Sequence, residues 1–210
     1  MIDGIIFDLD GTLWDSTPEV AIAYNKVLQD KYPEVTDTVT AEKLKALFGL
    51  PLDVIGVKLF QSISEDQART AIKECCDYEE EYLAEHGAYL YEELEETLKE
   101  LSEKFKLYIV SNCQDGYIQC FFQANPQLEQ YFTDHECHGS TGLPKADNIR
   151  LIVERHNLKS PVYVGDTLGD ANASKGAGVP FVYARYGFGD VKEYDYVIES
   201  FGELRHLFLR

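Results

Sequence analysis

Three unbroken apolar runs in this chain each stop at a group able to do chemistry. Ile5-Ile6-Phe7 runs into Asp8, Leu107-Tyr108-Ile109-Val110 into Ser111, and Val162-Tyr163-Val164 into Gly165-Asp166. Short runs that do not alternate with polar residues suit strands buried on both faces, as in a parallel sheet covered by helices. Helical spacing fills the gaps. Leu94, Leu98, Leu101 and Phe105 precede the second run, and Ile149, Ile152, Val153 and His156 precede the third. Phe181–Ala184 and Tyr196–Ile198 read as further strands, and residues 200–209 as a closing helix. Strands alternating with helices predict an α/β fold with a doubly wound, mostly parallel sheet.

One stretch breaks the alternation: residues 15–84 show helical signals only. Ser16-Thr17-Pro18 reads as an N-cap followed by a first-turn proline, opening a helix with Val20, Tyr24, Val27 and Leu28 on one side. Thr40 can cap a second helix that Gly49 would close, and Pro51 opens a third through Val54, Ile55 and Leu59. Ser64 and Gln67 have the spacing of a capping box for a long helix ending near Gly87. The expected division is a core of residues 1–14 and 85–210, with residues 15–84 inserted as a small α-helical domain. A length of 210 residues suits one domain carrying such an insertion, and 45% hydrophobic residues can build a core, which excludes disorder.

In open α/β sheets, ligands bind beyond the carboxyl ends of the strands. That rule gathers Asp8 and Asp10, Ser111 and Asn112, and Asp166 and Asp170 from distant parts of the sequence, with Lys145 at a predicted helix start. Four carboxylates on one small site repel: two unit charges 4 Å apart cost ~4 kcal/mol at an effective dielectric of 20. A divalent cation and a lysine would relieve the repulsion. An all-oxygen donor set points to Mg²⁺ rather than zinc.

Asp8-Leu9-Asp10-Gly11-Thr12, an apolar run ending in Ser111-Asn112, Lys145, and Gly165-Asp166-Thr167-Leu168-Gly169-Asp170 follow one another in an order that resembles the haloacid dehalogenase superfamily. The likeness spans the chain, and the insertion resembles the type 1 cap of its phosphoglycolate-phosphatase-like branch. The resemblance implies a Rossmann-like core and an Mg²⁺-dependent phosphatase acting on a small phosphorylated metabolite, phosphoglycolate being the first candidate. It implies Asp8 as the nucleophile that forms an aspartyl-phosphate and Asp10 as the acid, then the base. Asp8, the Asp10 carbonyl and Asp166 would ligate the metal, with Asp170 in or beside that set. Ser111, Asn112 and Lys145 would bind the phosphoryl group, and Thr12 would steady the loop. Dehalogenases and phosphonatases of the superfamily lack an acid at the position of Asp10, which disfavours both chemistries. Residues 18–29 contain no His and residues 48–52 no Arg, the marks of the sugar phosphomutases. A phosphomutase or pyrophosphatase remains the enzymatic alternative, and a slow phosphate-binding regulatory module the non-enzymatic one.

The net charge of −18 disfavours nucleic-acid and anionic-membrane partners. Twelve acids against one lysine fall between residues 74 and 103, which reads as a solvated helical face. Five cysteines without a CxxC pair, together with the absence of a signal-like or membrane-length apolar run, suggest a reduced, cytoplasmic setting. Monomer and dimer both stay open. His135-Glu136-Cys137-His138 has metal-ligand residue types but reads better as a loop and strand end. Trp14 fits either the pocket wall or hinge packing.

Overall fold

The computed structural model describes residues 2–209. The first strand, β1 (Gly4–Phe7), leads through a tight loop to β2 (Trp14–Asp15). Four helices follow: α1 (Thr17–Lys31), α2 (Ala41–Lys45), α3 (Leu52–Leu59) and α4 (Glu65–His86). After β3 (Tyr89–Leu90) come α5 (Leu94–Ser102), β4 (Lys106–Ser111), α6 (Tyr117–Ala124), α7 (Pro126–Glu129) and β5 (Phe132–Cys137). The chain ends with α8 (His138–Thr141), α9 (Lys145–Arg155), β6 (Pro161–Gly165), α10 (Leu168–Ala177), β7 (Phe181–Ala184), β8 (Tyr196–Ile198) and α11 (Glu203–Phe208).

Six strands form one parallel sheet in the order β5-β4-β1-β6-β7-β8. Its central strands are apolar on both faces for a simple reason: alternate residues point to opposite sides, and each side is covered. Ile5, Phe7, Leu107, Ile109, Val162 and Val164 join the core on one face. Ile6, Tyr108, Val110 and Tyr163 join Ile149 and Ile152 of α9 on the other. Each such fully buried side chain contributes ~1.5–3 kcal/mol relative to exposure.

The helices between β2 and β3 pack mainly on one another, α4 lying against α1, α3 and α6. The chain leaves and re-enters through a two-strand antiparallel ribbon, with Trp14 opposite Leu90 and Asp15 opposite Tyr89. The Ser64–Gln67 capping box and the Thr40 cap form as the sequence suggests. Three local expectations fail. Ser16 does not cap α1; the Asp15 carboxylate takes that place, accepting from Thr17 N at 3.1 Å and Thr17 Oγ1 at 2.6 Å. Gly49 does not close α2, which stops at Lys45; the glycine sits at φ +91° in the turn that follows. The closing helix is also shorter than residues 200–209.

Strand β5 and helix α6 were not assigned from the sequence, although Tyr117, Ile118, Phe121 and Phe122 recur at helical spacing and are buried. His135 and Cys137 lie in β5 and His138 begins α8, while Glu136 is bound by Arg155, so the four do not gather into a ligand set. Trp14 is fully buried and packs edge-on against Tyr117 and Phe121, the packing role. Among the described residues, no helix is long and apolar enough to cross a membrane.

Candidate active site

The registry of the sheet brings the site together. Phe7 of β1 lies opposite Ile109 of β4 and Val164 of β6, so all three strands end at nearly the same level. Asp8 and Asp166, just beyond β1 and β6, and Ser111, the last residue of β4, therefore share one rim, at the point where the chain switches from one side of β1 to the other. Asp8 N is fixed to Val164 O at 2.8 Å. All three side chains are buried.

Lys145 reaches this rim from the first turn of α9. Its Nζ lies 2.8 Å from Asp8 Oδ1 and 2.6 Å from Asp170 Oδ1, and all three groups are buried. Burial works against the ammonium, but Asp170 and Asp8 outweigh it and hold the lysine pKa above its usual value. Asp170 is braced further: its Oδ2 accepts from Thr167 Oγ1 at 2.6 Å, Thr167 N at 2.9 Å and Asp166 N at 3.2 Å. Burial would raise Asp170, yet Lys145 and Thr167 keep it below the ordinary carboxylate range.

Asp8, Asp166 and Asp170 can each place an oxygen within 4.8 Å of the others. Three carboxylates against one ammonium leave two negative charges in excess. Burial and the neighbouring acids raise Asp8 to about 7 and push Asp166 well up. Asp166 is informative in detail. Phe188 N donates to its Oδ2 at 2.6 Å, whereas Oδ1 is buried with no hydrogen-bond partner. A bare carboxylate oxygen beside two other acids fits a divalent cation, in charge and in donor type.

Asp10 occupies a separate environment. Its Oδ1 accepts from Ser16 Oγ at 2.6 Å and from the Tyr117 hydroxyl at 2.9 Å, and those two hydroxyls are 2.9 Å apart. Burial raises Asp10 to about 6 although both donors pull it down. Gly11 turns the chain directly after Asp10 at φ +80°, and any side chain there would collide with the Asp166 carboxylate. Gly187 meets the same limit, since a Cβ would strike Asp166 and Gly11 O. The 186–189 turn thus acts on the site by pressing Phe188 N onto Asp166.

Asp8, Asp10, Ser111, Asn112 and Lys145 line one cleft of about 60 Å³, with Gly49, Leu50 and Leu52 on its helical wall. Asp166 and Asp170 lie behind it, against Asp8. The Asn112 side chain is already engaged, donating to Gly49 O at 3.0 Å, and so ties β4 to the turn after α2. Thr12 is buried; its carbonyl accepts from Tyr186 at 2.8 Å, while its own hydroxyl meets no hydrogen-bond partner. The sequence does not single out Tyr117; it offers Ser16 only as a helix cap, and Phe188 only as part of a 186–189 turn resembling one in phosphoglycolate phosphatases. Each acts through a contact across more than one element.

The sequence profile of haloacid dehalogenase-like hydrolases matches residues 5–184. The chain belongs to that family. Among its relatives, the phosphoglycolate phosphatase of Vibrio parahaemolyticus is 30% identical over 219 residues, covering 95% of this chain and 93% of that protein. The phosphoglycolate phosphatase of Vibrio vulnificus is also 30% identical, with the same coverage. A haloacid dehalogenase-like family hydrolase from Streptococcus pneumoniae shares the fold at a TM-score of 0.84 and 24% identity, covering 99% of this chain and 98% of that one. In this haloacid dehalogenase-like chain, the family match spans β1, β4 and β6 and the residues at their rim.

Proposed function

We propose that this family member is a phosphatase that hydrolyses a small phosphomonoester through a phosphoryl group carried transiently on Asp8. The observation that carries the reading is the division between two neighbouring carboxylates. Asp8 faces Lys145 among the acids, while Asp10, two residues on, is held apart by two hydroxyls. That division supports the first as nucleophile and the second as proton carrier. The relatives named as phosphoglycolate phosphatases support a small ester as the substrate class.

In this mechanism the Asp8 carboxylate attacks phosphorus as the bond to the leaving oxygen breaks, and Asp10 gives that oxygen its proton. Asp10 then takes a proton from the water that releases phosphate from Asp8. Lys145 and Ser111 hold the non-bridging oxygens, where charge builds in the transition state. Asp8, the Asp10 carbonyl and Asp166 would hold Mg²⁺, with Asp170 positioning Lys145 and the Asp166 loop. The bound cation supplies positive charge that screens the carboxylate from the anionic ester. Residues 15–84 act as a cap over a core of residues 1–14 and 85–210, closing the cleft against bulk water during the attack.

Phosphate release from small esters in the presence of Mg²⁺ tests the reading. Chelation is expected to abolish release and added Mg²⁺ to restore it. Mg²⁺ is also expected to raise the melting temperature by neutralising the excess charge, a readout independent of turnover. Hydrolysis that survives chelation would overturn the metal assignment.

The proton role of Asp10 makes its own prediction. Ser16→Ala combined with Tyr117→Phe removes the two hydroxyl donors that most lower the Asp10 pKa. The pKa should therefore rise, and the alkaline limb of the kcat profile should move to higher pH. The maximal rate should fall roughly tenfold, less than the 10²–10⁴ that a general acid contributes, because the acid remains. An unmoved limb in the pH profile would count against Asp10 as the proton donor.

A further inference from the structure

Glu79 is one of the twelve acids between residues 74 and 103, yet it is not part of a solvated face. It lies on the inner side of α4, 3% exposed, and borders the same cleft as Asp8 and Asp10. Its partners are neutral: Oε2 accepts from the Tyr24 hydroxyl at 3.0 Å and from Gln114 Nε2 at 3.4 Å. Burial raises its pKa to about 8. A buried carboxyl without a cation is costly to keep, and a hydrocarbon or amide of similar size would fill the space at lower cost. The proposed chemistry at Asp8 and Asp10 does not use it.

The rest of the cleft wall explains what it could be for. Tyr24, Phe48, Leu50, Leu52, Ile55 and Tyr117 surround the space, and none of them is charged. Among the described lining residues Lys145 is the one cation, and Asp8 and Asp170 already hold it. Lys45, three residues before Phe48, is bound to Asp15 at 2.6 Å.

We infer that Glu79 selects the leaving group, admitting a small alcohol that carries a second hydrogen-bond donor, hydroxyl or ammonium, and disfavouring one that carries a carboxylate. The inference rests on the phosphatase reading and narrows its substrate class. A substrate carboxylate brought against Glu79 would leave at least one buried negative charge without a cation, whichever of the two acids held a proton. A hydroxyl can donate to Glu79 and brings no charge into the wall, and an ammonium pairs with it. The chain would then differ in specificity from relatives named for a glycolate ester, with the same chemistry at the strand ends.

Three esters of matched size test this: 2-phosphoglycolate, 2-hydroxyethyl phosphate and O-phosphoethanolamine, which end in carboxylate, hydroxyl and ammonium. With Mg²⁺, the native protein is expected to favour at least one of the last two over 2-phosphoglycolate by about tenfold or more in kcat/KM. Which of the two leads identifies the donor. Glu79→Gln is expected to narrow the ratio to 2-phosphoglycolate severalfold, chiefly through KM. Tyr24→Phe, which loosens Glu79 without removing it, provides a second variant should Glu79→Gln fold poorly, and is expected to shift the ratio the same way. A native preference for 2-phosphoglycolate, or a ratio unchanged in the folded variants, overturns the role of Glu79. No phosphate from any of the three esters or from an aryl phosphate instead overturns the phosphatase reading beneath it.

Discussion

Replacing Asp8 by Asn is expected to stop turnover, lowering kcat by ~10⁴-fold or more, the scale on which loss of an enzymatic nucleophile acts. Asn keeps the shape and an oxygen that can accept from Lys145, but its amide cannot carry a phosphoryl group through an acyl phosphate. The fold should survive the change. Asp8 is buried beside Asp170, its pKa is raised to about 7, and its ionised form is therefore disfavoured in the folded state. Removing that charge is expected to leave the melting temperature unchanged or to raise it at pH 8. Phosphate release and thermal unfolding, measured on the same preparation, check both halves. Retention of more than about 1% of native kcat would mean that another group attacks phosphorus.

Lys145→Met makes the opposite kind of change. It leaves Asp8 and Asp170 buried without their shared ammonium, and breaking a buried pair from one side costs about 3–5 kcal/mol. The effect has a predictable pH dependence. Without the lysine, both carboxyls would have folded-state pKa values above their unfolded ones. The folded protein would then bind protons that the unfolded chain releases, so stability falls as pH rises. The gap in melting temperature between native protein and variant should accordingly be widest near pH 8 and shrink toward pH 5. Turnover should drop ~10²–10³-fold as well, since Lys145 also holds the transferring oxygens. A gap that stays constant across that range would show that Lys145 matters for packing rather than for charge.

The sheet and its chemical rim were legible in the sequence because strand ends are abrupt. An apolar run buried on both faces stops where the chain meets the rim, so Asp8, Ser111 and Asp166 announce their positions by being the first polar residues after it. Strand β5 was not legible in that way. Its segment, Phe-Thr-Asp-His-Glu-Cys, lies at a sheet edge where only Cys137 is buried, and edge strands do not need an apolar signature. Ser16 was misread because a serine before Thr-Pro looks like a cap on local grounds, whereas its hydroxyl serves Asp10 and its neighbour Asp15 takes over the capping. Tyr117 could not be found from sequence, since what matters is a contact 107 residues away. Glu79 was concealed by its company. Twelve acids in a row of helices read as one surface, and only the packing of α4 on α1 and α6 turns that one inward.

The ribbon formed by β2 and β3 has an evolutionary consequence. Trp14 and Asp15 lie directly beside Leu90 and Tyr89, so seventy-odd residues depart from and return to a single spot on the scaffold. The strand registry that sets Asp8 beside Asp166 lies outside that segment, so a change of length within it need not shift the registry. The segment is still tied to the chemistry: its Ser16 holds Asp10, its Gly49 carbonyl holds Asn112 and its α4 packs on α6, so a lineage that rebuilds it must keep those contacts.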